Sequence, residues 1–101
     1  MSDPRPEVTH NAPASRFEVT VEGETAELEY VRRPGGLIVL AHTAVPEPLE
    51  NRGIGSALAR AALDYARGEG LRVVPLCPFV AAYVARHAEY APLLAPGFGP
   101  R

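Results

Sequence analysis

Cys77 stands directly before Pro78, where an apolar run, Leu71–Leu76, gives way to a segment with helical spacing. Proline is favoured in the first turn of a helix, so Cys77 is expected at a helix N-terminus. There the helix dipole and unpaired N–H groups stabilise a thiolate, which suits a nucleophile or a proton-transfer group. A buried cysteine acting as a small hydrophobe is the other reading. His42 lies within the apolar run Leu37–Val45 and is either a general base or a core histidine held by a backbone carbonyl. Phe79, Tyr83 and His87 recur at i, i+4 and i+8 and share one helical face. The pattern fits packing with a polar edge, and Tyr83 is the member whose hydroxyl could move a proton.

The other chemically suggestive stretch is Val45–Ser56, VPEPLENRGIGS. A strand ends, a proline-containing loop turns, and Gly53-Ile54-Gly55 opens a helix. First-turn N–H groups have no intrahelical partner and, with the dipole, form an anion site suited to a pyrophosphate. Two alternate glycines let a ligand approach the backbone closely, and Arg52 adds a positive charge. The third glycine of a dinucleotide-binding turn is missing, and without any Lys in the chain a Walker A loop is excluded.

These residues need elements to hold them. Arg16–Val21 alternates, with Phe17, Val19 and Val21 on one side, and predicts a half-buried strand. After a turn at Glu22-Gly23-Glu24, residues 25–33 alternate again through Ala26, Leu28 and Tyr30. Pro34-Gly35-Gly36 turns the chain into Leu37–Val45, whose nearly continuous apolar character predicts a strand buried on both faces. From Gly53 to about Arg67 the period becomes 3.6, with Ile54, Leu58, Ala61, Ala62 and Tyr65 on one face and an Arg60–Asp64 pair outside. Gly68 and Gly70 end that helix. Leu71–Leu76 is expected to be a short buried strand, followed by a helix from Cys77 or Pro78 to about His87. The order β-β-β-α-β-α predicts an α/β (α+β) fold, a β-meander followed by α-β-α. Its sheet is antiparallel except for one parallel pair across the first helix.

With 101 residues the chain is expected to form one domain, residues 16–93, between a flexible leader at 1–15 and a loose tail at 94–101. Hydrophobic residues make up 47% and charged residues 22%, the balance of a globular protein, and the net charge of -2 attracts neither nucleic acid nor an anionic membrane. No apolar run is long enough to span a bilayer, and the N-terminus lacks the apolar stretch of a signal peptide. A single cysteine excludes an internal disulfide, and His10, His42 and His87 lack ligand spacing, so no metal is expected. The expected setting is cytoplasmic.

Arg52-Gly53-Ile54-Gly55 after a strand and loop resembles the acetyl-CoA-binding turn of the GNAT acyltransferase superfamily, whose pattern is Gln/Arg-x-x-Gly-x-Gly/Ala. Aligned on Gly53 and Gly55, the first position is Glu50, an acid in place of the usual Gln or Arg. The small branch of about 100-residue acetyltransferase-like proteins is more similar still. Its hallmarks match His42-Thr43-Ala44-Val45-Pro46, the segment Val74 to Val80, and His87-Ala88-Glu89-Tyr90. The resemblance covers about Phe17 to Leu93. It implies a GNAT-like fold without the N-terminal helices of larger members, with acetyl-CoA as cofactor and an unidentified amine or protein as acyl acceptor. It also implies that Val45, Asn51, Arg52, Gly53, Ile54, Gly55 and Ser56 hold the cofactor. The pantetheine arm would lie where the Cys77 strand splays from the strand before the turn. Cys77 would then contact the thioester, transfer a proton or accept the acetyl group. His42 would act as a base, and Tyr83 would protonate the departing thiolate. The alternative is a non-catalytic CoA-binding or protein-interaction module, with the chain a monomer or weak homodimer.

Overall fold

Strong alternation in the first half of the chain and helical periodicity in the second produce two layers, a sheet and a pair of helices on one of its faces. The computed structural model describes residues 6–98. Strands β1 (Thr9–Asn11), β2 (Arg16–Val21), β3 (Glu24–Arg33), β4 (Leu37–Ala44) and β5 (Arg72–Pro75) lie side by side in that order. Neighbours are antiparallel except β4 and β5, which are parallel and joined through helix α1 (Ile54–Gly68). Helix α2 (Pro78–Arg86) follows β5, and a 3-10 segment at Ala88–Leu93 closes the core. Phe17, Val19, Ala26, Leu28, Tyr30, Ile38 and Leu40 are buried on the inner face of the sheet, as their alternation predicts.

The expectation of a flexible leader changes for its described part. Thr9–Asn11 adds an outer strand, pairing Thr9 with Glu18 and Asn11 with Arg16. The His10 ring explains this: it stacks on Phe17 at 4.2 Å, meets Tyr65 edge-on at 4.5 Å, and its Nε2 is hydrogen-bonded to the Tyr30 hydroxyl at 2.7 Å. The expected loose tail is tied as far as Ala95, whose N–H donates to the Val73 carbonyl at 2.8 Å. Residues 1–5 and 99–101 lie outside the described residues.

Four further expectations are corrected. Strand β4 is covered on one face only, because both helices pack on the same side; Ala41 and His42 are exposed on the other. The buried stripe of α1 is Ile54, Leu58, Ala59, Ala62, Leu63 and Ala66, while Ala61 and Tyr65 sit half-buried at its flank. Contact with both the sheet and α2 widens and rotates the stripe. Asp64 pairs with Arg67 at 2.8 Å, not with Arg60, and accepts a 2.7 Å hydrogen bond from the buried Tyr90 hydroxyl. Burial and that carboxylate push the Tyr90 phenol up to about 12. Leu76, expected inside, is 60% exposed just beyond β5.

A β-bulge fixes which β4 residues face the site. The register runs Leu28 to Thr43, Glu29 to His42, then Tyr30 to Leu40, leaving Ala41 as the extra residue. A bulge of one residue exchanges the faces of everything beyond it. Thr43 therefore turns to the inner face and His42 to the open one.

Candidate functional site

Strands β4 and β5 pair from Leu37 and Arg72 as far as Leu40 and Pro75. The N–H of Cys77 donates to the Leu40 carbonyl at 3.0 Å. Beyond that bond the two chains diverge, since β4 continues to Ala44 while the other chain turns into α2. Thr43 and Val45 on one side and Phe79 on the other line the resulting cavity of about 480 Å3, which ends against Asn51 and Gly53–Ser56. Buried Leu49 pins the short 3-10 turn Glu47–Leu49 that carries the chain from β4 to the helix.

The α1 N-terminus forms the far end of this cavity. Gly53 is its N-cap with φ +75, a left-handed conformation that suits glycine, and Asn51 has φ +65. The first intrahelical bond runs from the Ala57 N–H to the Gly53 carbonyl at 3.0 Å. The N–H groups of Ile54, Gly55 and Ser56 therefore precede any intrahelical acceptor. The two glycines serve different ends, contrary to the expectation that both clear space for a ligand. A Cβ on Gly55 would lie 2.8 Å from Phe79 Cζ, whereas one on Gly53 would meet nothing within 4 Å. Gly55 thus makes room for the Phe79 ring. Arg52 is exposed and lies 3.7 Å from Glu22 in the β2–β3 turn, so its charge is shared with a carboxylate.

Cys77 is buried as the N-cap of α2 and donates its Sγ–H to Thr43 Oγ1 at 3.3 Å. Burial pushes the thiol up. The Thr43 hydroxyl and the N–H groups of Val80 and Phe79 outweigh it, leaving the thiol below its ordinary value. The side chain closes no full cap hydrogen bond, so those N–H groups act on the sulfur mainly as oriented dipoles.

The three expected catalytic side chains are not brought together. His42 is exposed on the open face, opposite Glu29 on β3. Tyr83 is buried on α2, stacked on His87 at 4.0 Å, and lines a second cavity of about 530 Å3 with Arg60 and Asp64. Its hydroxyl holds the Arg60 guanidinium above its ordinary value. The two cavities share Gly53 and Ser56. Sequence reasoning missed Thr43 and Phe79 as parts of the site. The spacing of a bulky Phe79 two residues after Cys77, matched to the small Gly55, is the one signal that could have indicated the second.

Comparisons with known proteins agree on one family. Residues 16–93 match the model of a GCN5-related N-acetyl-transferase. Protein NATD1 of Gallus gallus is 34% identical over 80 residues, covering 77% of this chain and 73% of that protein. Protein NATD1 of Homo sapiens is 34% identical over 79 residues, covering 76% and 70%. The NMR structure of a GCN5-like protein from Staphylococcus aureus superposes with a TM-score of 0.72 over 94% of this chain and 90% of that one; at 23% identity it shows the fold alone.

Proposed function

Because the chain belongs to the GCN5-related N-acetyltransferase family, we propose that it transfers an acetyl group from acetyl-CoA to an amine. The observation that carries this reading is the β4–β5 gap, which is lined by Thr43, the hydrogen-bond partner of Cys77, and ends at free helix N–H groups. The residues fit the cofactor's chemistry. A pyrophosphate needs N–H donors and positive potential, which Ile54, Gly55, Ser56 and the α1 dipole offer, with Arg52 nearby. An extended polar arm needs unpaired backbone, and the β5-side edge of Ala41–Ala44 has no strand partner among the described residues. Val45 and Asn51 line the same cavity. The second cavity continues from Gly53 and Ser56 past Arg60 and Tyr83, where a guanidinium suits further phosphate. Tyr83 is assigned to that end and not to the departing thiolate.

Acetyl-CoA supplies an acyl group activated as a thioester. The chain's nucleophile is Cys77: its Sγ would attack the thioester carbonyl while its proton passes, by way of the Thr43 hydroxyl, to the departing CoA sulfur, and a free amine would then take the acetyl group and return a proton to Sγ. His42, exposed on the open face opposite Glu29 and away from Cys77, is given no part in the transfer. The test is intact-protein mass spectrometry with acetyl-CoA, together with turnover against mixed amines. The expected result is one acetyl group on Cys77, with transfer lost in Cys77→Ser while CoA affinity is kept. Full turnover by Cys77→Ser overturns the covalent step, and absence of CoA binding overturns the whole reading. A non-catalytic CoA-binding module is favoured by one observation, that Glu50 is the one titratable side chain lining the β4–β5 cavity. CoA binding without turnover against any amine decides for it.

A further inference from the structure

The face of the sheet turned away from both helices carries an apolar row. Val31, Val39 and Val74 are Cα partners across β3, β4 and β5. Val31 is 48% exposed, and Leu76 just beyond β5 is 60% exposed. Along β3, Glu29 and Arg33 lie two residues to either side of Val31, so their side chains share its face. Both are exposed; Glu29 lies opposite Arg16 of β2, whose guanidinium is shared with Glu18 and Glu27, and Arg33 belongs to no ion pair among the described residues. The row therefore has an acid on one flank and a base on the other.

We propose that this face binds a second copy of the chain, sheet on sheet, about a two-fold axis lying in the interface along the valine row. Such an axis keeps the strand order and reverses the strand direction, so β3 lies over β3. Val31, Val39 and Val74 then meet their own counterparts. Glu29 of each copy faces Arg33 of the partner subunit, and symmetry makes the pair twice. Packed sheets stand about 10 Å apart, a gap that an extended Glu and Arg together can bridge. A partner of one charge sign would leave one flank opposed to its like, whereas a second copy matches both. Burial of the valines supplies the attraction, and the charges fix the register.

Sedimentation equilibrium of the full chain tests this. The expected result is a monomer–dimer equilibrium in the micromolar range. Val31→Asp should abolish the dimer, with the circular dichroism and melting of the folded monomer retained. Arg33→Glu and Glu29→Arg should each weaken association by about tenfold, since each sets two like-charge contacts in place of two attractive ones. The double variant carrying both changes reverses the pair and should restore association to near the starting value. A mass that stays monomeric up to millimolar concentration overturns the proposal. So does a dimer indifferent to either reversal, or failure of the double variant to recover when both single variants are weakened.

Discussion

Replacing Gly55 with alanine tests how the α1 N-terminus and α2 are fitted together. The added Cβ would lie 2.8 Å from Phe79 Cζ, closer than carbon atoms tolerate, and 3.2 and 3.3 Å from its two Cε atoms. The ring is 38% exposed and can swing outward, so the cost falls at the low end of overpacking, about 1 kcal/mol. Without the ring the sign reverses, because alanine is favoured over glycine within a helix by up to about 1 kcal/mol. Gly55→Ala should therefore destabilise the parent chain and stabilise Phe79→Ala, a coupling of about 2 kcal/mol. Gly53→Ala behaves differently. Its Cβ meets nothing, but φ of +75 costs a non-glycine residue about 1–2 kcal/mol in either background. Urea denaturation of the six proteins gives these differences directly, and thermal melting should shift by about 4–8 °C per kcal/mol at this size. Equal effects of Gly55→Ala with and without Phe79 would refute the argument that the ring sets the need for glycine.

Glu22→Gln frees Arg52 from its 3.7 Å partner and should tighten CoA severalfold at low salt, an advantage that titration at high salt should erase, while Arg52→Ala should weaken CoA. Alkylation of Cys77 across a pH series should show a midpoint below that of a free thiol, and Thr43→Val should raise it, because the variant keeps the burial and loses a hydrogen bond to sulfur. Bound CoA should slow the reaction. The folded chain favours the protonated Tyr90 phenol, so its contribution is complete below the unfolded value near 10 and is lost as pH rises toward about 12. Chemical denaturation should show that decline, about 2–3 kcal/mol in all, and Tyr90→Phe should abolish it.

Strands, turns and helices were legible in the sequence wherever a local pattern carried them. The alternation of Phe17, Val19 and Val21 and of Ala26, Leu28 and Tyr30 placed β2 and β3 with the correct inner faces. Proline at 78 marked the start of α2, and the glycines at 53 and 55 marked the start of α1. The turn at the start of α1 follows from those local features, since N–H groups without intrahelical acceptors belong to any helix start.

What joins distant residues was decided only by the tertiary structure. Leu37–Val45 is apolar on nearly every residue, so no alternation reveals the extra residue at Ala41, and that bulge alone decides that Thr43, not His42, meets Cys77. The polar leader gave no sign of a strand, because the stability of Thr9–Asn11 comes from His10 stacking on Phe17, Tyr30 and Tyr65, residues far along the chain. Asp64 lies one helical turn from both Arg60 and Arg67, and local spacing allows either pairing. The hydroxyl of Tyr90, brought in by the last turn of the chain, sits on the same Oδ1 that Arg67 uses. Periodicity reports how a segment meets an average interior. The identity of each neighbour depends on strand register and on side chains separated by tens of residues, which no local pattern encodes.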